Sequence, residues 1–171
     1  DPNNFPSSYE CGPSCGGEAG TVTCGASIAG VGTLYIYRGQ ADGSFGDNPS
    51  FVYYNDQKSD RVESLSAVGN VDGDGAGLSD VAIGSRYWDT GGGDSGGVRV
   101  VTGRPFTVTA GKIQVICEAS AEIPGKKAGD WAGLAITGMG DLNGDGCDDF
   151  AYGEDRNDDV GNDRGAVYVV L

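Results

Sequence analysis

Apolar residues in this chain come in short runs separated by polar and Gly-rich breaks. Val81-Ala82-Ile83, Val98-Arg99-Val100-Val101, Phe51-Val52-Tyr53-Tyr54 and Ala166-Val167-Tyr168-Val169-Val170 are rich in β-branched and aromatic side chains. No stretch of helix length places apolar residues at i, i+3, i+4 and i+7. The pattern predicts strands at 21–26, 34–37 and 50–54, then at 64–69, 80–85, 98–102 and 112–117, and finally at 133–138, 149–152 and 166–171. Residues 1–20 carry Cys, Pro and Gly and read as an irregular, cystine-pinned segment.

The strands repeat as a unit. Gly69-Asn70-Val71-Asp72-Gly73-Asp74-Gly75 aligns with Gly140-Asp141-Leu142-Asn143-Gly144-Asp145-Gly146 at an offset of 71. Asp80-Val81-Ala82-Ile83-Gly84 aligns with Asp149-Phe150-Ala151-Tyr152-Gly153 at 69, so the first loop is two residues longer. Gly97-Val98-Arg99 then aligns with Gly165-Ala166-Val167 at 68. A partial copy precedes them. Each unit predicts a four-stranded antiparallel sheet that cannot bury both faces by itself, and radial stacking of such sheets makes a propeller. The expected fold class is all-β, with a partial blade over 21–54, a full blade over 62–117 and a nearly full blade over 131–171.

Composition sharpens this picture. Gly is 32 of 171 residues without a Gly-X-Y period, which fits many tight turns. Net charge is −14, so the surface repels nucleic acid and anionic membranes and attracts cations. There is no His, which removes the imidazole triads and the commonest zinc ligand. Five cysteines without a CxxC pair fit disulfides in an oxidising compartment, with one thiol left over. The start at Asp1, without a leader, fits a secreted mature chain or a fragment. No apolar run approaches membrane-spanning length.

The spacing of carboxylates carries the candidate chemistry. Asp141, Asn143, Asp145 and Asp149 stand at positions 1, 3, 5 and 9 of a short loop, and Gly146 at position 6 permits a sharp turn. Alternate side chains converge, and with the backbone carbonyl of Cys147 at position 7 they approach the 6–8 oxygens that calcium takes at about 2.3–2.6 Å. The upper copy offers Asn70, Asp72, Asp74 and, after two extra residues, Asp80. With Asn at position 1 it has one carboxylate fewer and is expected to bind more weakly. The expected cofactor is structural Ca2+ at one or two sites. A third acidic run, 155–163, reads as a solvated loop neutralised by Arg156 and Arg164.

These residues resemble the FG-GAP repeat of integrin alpha-chain propellers. Trp131-Ala132 stands for the Phe-Gly start, Asp141 to Phe150 for the Asp-rich loop and Gly165-Ala166-Val167-Tyr168-Val169 for the closing strand, while the Gly-Ala-Pro element is degenerate. The resemblance spans about 21–171. It implies that Trp131 packs in the core and that partners meet the face opposite the metal loops, where Tyr87, Trp88 and Asp89 sit. Those residues either bind a sugar or protein or pack between blades. Family members close rings of more blades than this chain supplies, and the run 166–171 is a good strand with an open edge. The expected partners are therefore other protein chains, either copies of this one or the rest of a longer propeller, and possibly glycans. The expected function is non-catalytic: a secreted calcium-binding module for adhesion, assembly or scaffolding. The alternatives are a lectin or an accessory domain of a secreted hydrolase.

Overall fold

A computed structural model describes residues 9–11, 32–47, 49, 51–54, 61–75, 77–89, 91–103, 113–116 and 119–171. These residues form eleven strands, and no helix occurs among them. The expected strand at 21–26 lies outside the described residues.

The middle sheet organises the rest. It contains β4 (Ser64–Gly69), β5 (Asp80–Ser85), β6 (Gly97–Val101) and β8 (Ala121–Pro124), all antiparallel in the order β4-β5-β6-β8. The third sheet, β9 (Ala132–Gly140), β10 (Asp149–Glu154) and β11 (Ala166–Val170), is antiparallel in the order β11-β10-β9. The first is mixed. β2 (Thr33–Ile36) and β3 (Phe51–Tyr54) are antiparallel, and β7 (Ile113–Ile116) and β1 (Tyr9–Cys11) join parallel in the order β1-β7-β3-β2.

The fourth strand of the middle sheet therefore differs from the sequence expectation. Of the expected strand at 112–117, Ile113–Ile116 lies beside Phe51–Tyr54 in the first sheet, and Ala121–Pro124 takes the fourth place in the middle one. Ala121–Pro124 has one large apolar side chain, Ile123, and ends in proline. Such a segment reads as a linker. At a sheet edge it suffices, because Pro124 pairs with the first residue of β6 and no ladder bond beyond it is needed.

Period-two alternation then sorts the middle sheet's residues between two interfaces. Val68, Ala82, Val98 and Val100 meet Ala132, Phe150 and Tyr152 of the third sheet. Ile83 and Val101 face the other way and meet Phe51 and Tyr53 of the first sheet. Both faces of the middle sheet are covered, so all five residues of β6 are buried, and its sequence is apolar except for Arg99. Packing of the second and third sheets is close at Gly84, where any Cβ would run into the carbonyl of Gly133. Ser64 Oγ donates to that same carbonyl at 2.6 Å.

Candidate metal centre and the opposite loop face

The two Asp-rich loops share one backbone design. Gly69, Gly73 and Gly75 have φ of 77°, 63° and 68°, and their counterparts Gly140, Gly144 and Gly146 have 70°, 78° and 96°. That left-handed region is open to glycine at little steric cost. The position-9 carboxylates match too. Asp80 pairs with Gly69 and Asp149 with Gly140, each beside a bulge. Both are about 1% exposed. Asp80 Oδ2 accepts the Val71 amide at 2.8 Å, and Asp149 Oδ2 accepts the Leu142 amide at 2.7 Å.

Within the lower loop the expected side chains turn inward onto the loop's own amides. Asp141 accepts from Gly144, Asp145 and Gly146 at 2.6, 3.2 and 3.0 Å. Asn143 Oδ1 accepts the Asp145 amide at 2.8 Å, and its Nδ2 donates to Asp145 Oδ2 at 2.9 Å. Asp145 Oδ1 accepts the Cys147 amide at 2.8 Å. That bond first, and the Asn143 contact second, hold the Asp145 carboxyl below its ordinary range. Cys147 is a free thiol whose Sγ lies over Gly73; desolvation and the Asp145 charge push it up.

The upper loop shares part of this pattern. Asp72 Oδ1 accepts the Asp74 amide at 3.1 Å, as in the lower copy. Asp80, however, already holds two amides, because Gly103 donates to its Oδ1 at 2.6 Å. The counterpart oxygen, Asp149 Oδ1, is buried and has no donor among the described residues. Asn70 Oδ1 is likewise buried without a partner among the described residues. Each loop thus has one buried acceptor oxygen with no donor among those residues, and a hard cation suits such oxygens. Among the described residues no three His, Cys, Asp or Glu side chains are gathered as a group that could hold a metal ion. A site here must draw on Asn143 and on backbone oxygen as well.

Asp148 joins the two loops, a role that spacing alone did not suggest. Its Oδ2 accepts the Asn70 amide at 2.8 Å, and its own amide donates to the Asn70 carbonyl at 2.9 Å. A Cβ at Gly69 would collide with its carboxylate.

At the other end of the blades, 86–96 and 155–165 are also copies. Asp89 Oδ1 accepts the Asp94 amide at 2.7 Å, and Asp158 Oδ1 accepts the Asp163 amide at 2.6 Å. Gly96 donates to Trp88 O and Gly165 to Asn157 O, which makes Gly96 the counterpart of Gly165. The offset is therefore 69 through β6, one more than the sequence alignment gave. The acidic run 155–163 takes its shape from this turn.

The three candidate ligand residues separate. Trp88 is 2% exposed, with Arg99 over its ring at 4.0 Å, so it has no face for a ligand. Asp89 closes the turn. Tyr87 is half-buried, with Arg61 and Arg86 over its ring at 5.3 and 4.7 Å. Trp131 is half-buried rather than core. Its φ is 59°, and Arg86 and Arg156 lie over its ring at 5.0 and 3.6 Å.

Beside Arg156 is a buried polar group that sequence reasoning missed. Asn157 Nδ2 donates to Glu154 Oε2 at 2.7 Å and to Tyr168 Oη at 3.2 Å. Asp130 lies close enough for the Glu154 charge, after burial itself, to push its carboxyl up. Tyr152 stacks on Tyr168 at 5.2 Å, and burial followed by the Glu154 charge pushes its hydroxyl up to about 12. Lys127 pairs with Asp159, and Lys126 lies over the Tyr168 ring, so this pair fastens the turn to the third sheet.

Three stacked sheets, cored between their faces and linked by Gly- and Asp-rich loops, define a protein built from propeller-type blades. Residues 135–170 match the family model of the FG-GAP repeat, whose copies form β-propeller blades. The match covers β9 from its fourth residue, the whole lower Asp loop, β10 and β11. Comparison with curated proteins gives no match.

Proposed function

We propose that this chain is a secreted, non-catalytic propeller module in which calcium rigidifies the blade loops for extracellular adhesion, assembly or scaffolding. The observation that carries the reading is the pair of loops with the same three left-handed glycines and the same buried position-9 carboxylate, each lined by Asp and Asn at alternate positions. Asp141, Asn143, Asp145 and Asp149 would hold the ion in the lower loop, with the Cys147 carbonyl. Calcium there supplies positive charge that cancels carboxylate repulsion. The chain's own part is to hold those carboxylates in place through the amides of residues 144–147. In the upper loop Asn70, Asp72 and Asp74 offer a weaker site, because two amides already engage Asp80.

The test is thermal melting of the full chain in calcium and in chelator. An ion bound only to the folded state at about a hundredfold excess over Kd stabilises by about 2.7 kcal/mol, or roughly 5–10 °C for a chain of this size. Asp145→Asn keeps an acceptor for the Cys147 amide, gives up the exposed Asn143 contact and removes a charge. It should abolish most of the calcium-dependent rise and leave the melt in chelator nearly unchanged. An equal shift in both solutions refutes a metal role for this loop.

A further inference from the structure

The chain carries a net charge of −14, yet three guanidiniums converge on the loop face away from the Asp-rich loops. Arg61, Tyr87, Arg86, Trp131 and Arg156 alternate cation and ring, with centroid distances of 5.3, 4.7, 5.0 and 3.6 Å along the series. The ladder crosses from the segment before β4 and the turn after β5 to the segment before β9 and the turn after β10, so it bridges two sheets.

We propose that this ladder is a docking surface for a carboxylate-rich peptide segment of a partner protein. A guanidinium lying over a ring keeps its N–H edge in plane and available, and that planar fork matches a carboxylate. Arg61 and Arg156 are exposed at the ends, and no ion pair to either occurs among the described residues. The middle guanidinium already has a carboxylate beside it. Glu63 Oε2 stands 3.1 Å from Arg86 Nε, off the line of a hydrogen bond. One carboxylate thus sits within the row, and the two outer arginines offer the same chemistry to a chain that brings its own acids. Both rings carry guanidiniums, so each ring already spends its π-surface on cations rather than on a stacked sugar. The left-handed backbone at Trp131 is a strained placement for an aromatic residue, and it is the residue whose ring lies between Arg86 and Arg156.

The surface lies apart from the metal loops and does not depend on calcium. The probe is a fluorescein-labelled poly-glutamate peptide titrated with the full chain at low ionic strength and followed by anisotropy, in calcium and in chelator. Removing both end guanidiniums by Arg61→Gln with Arg156→Gln should weaken binding by about tenfold or more. Arg156→Lys, which keeps charge but loses the fork, should weaken it severalfold. Arg38→Gln, outside the ladder, should leave it unchanged. Melting curves check that each variant folds, and the single exposed Arg61→Gln, with a smaller expected loss, serves if the double variant does not. Undiminished binding in the arginine variants, or equal loss in Arg38→Gln, overturns the proposal. So does a sulfated oligosaccharide that binds through the same arginines more tightly than the peptide. Binding that disappears in chelator overturns it too, by moving the peptide to the metal loops.

Discussion

Single side chains settle several questions that spacing leaves open. Asp148 follows an Asp-rich loop and reads as one more acid, but it carries two hydrogen bonds to Asn70 across the blade boundary. Asp148→Ala removes the side-chain acceptor and leaves the Asn70 amide without its partner. A loss of about 1–3 kcal/mol is expected in chemical denaturation, in calcium and chelator alike. Asp130 gives a pH-dependent case. Burial, with the Glu154 charge second, raises its carboxyl above the ordinary value near 3.9. The folded chain then holds that proton more tightly than the unfolded chain does. Its contribution to stability is present below the unfolded value and is lost as pH rises through the raised folded one. Asp130→Asn, neutral throughout, should therefore gain stability over the parent as pH rises, and show least gain near about pH 4. A difference that does not change with pH would show that the Asp130 charge is not what burial opposes.

The strands differ in how clearly the sequence announces them. β5, β6 and β10 were readable because both their faces are covered, so apolar residues run nearly unbroken and the Asp-Gly loops bracket them. The Asp loops were readable for a physical reason as well: alternate side chains share a side, and the glycines mark the left-handed turns. β8 was not, since one isoleucine beside an exposed glutamate carries little periodicity, and the strand exists because the edge of β6 offers it a ladder. Tertiary pairing likewise took 113–116 to the first sheet, a choice no local pattern encodes. Trp88 was ambiguous for a similar reason. In a Gly-rich loop an aromatic reads as exposed, but β6 brings both Arg99 over its ring and Gly97 against the ring edge. Two substitutions test the blade packing. Phe150→Ala, in the cluster between the second and third sheets, should lose about 3–5 kcal/mol in denaturant unfolding. Gly84→Ala should destabilise despite its better strand propensity, because the methyl meets a backbone carbonyl that has no rotamer to change. Near-neutral values would mean that these sheets do not pack as closely as described.

The whole molecule divides its chemistry between two ends of the blades. Carboxylates line the loops entering β5 and β10, and the opposite loops carry Arg61, Arg86, Lys126, Lys127 and Arg156 beside Asp89, Asp94, Asp130 and the acids of 155–163. At a net charge of −14 the chain repels itself, and the Asp loops that meet through Asp148 bring several carboxylates toward one another. A divalent ion in that region would act on two blades at once. The most direct measurement is calorimetric titration of calcium into the metal-free full chain, beside Asp145→Asn. The account predicts one saturable site in the parent, with a weaker second event at the upper loop, and loss of the tighter event in the variant. Heat from calcium that matches buffer dilution, or a tight event that Asp145→Asn leaves intact, would contradict it.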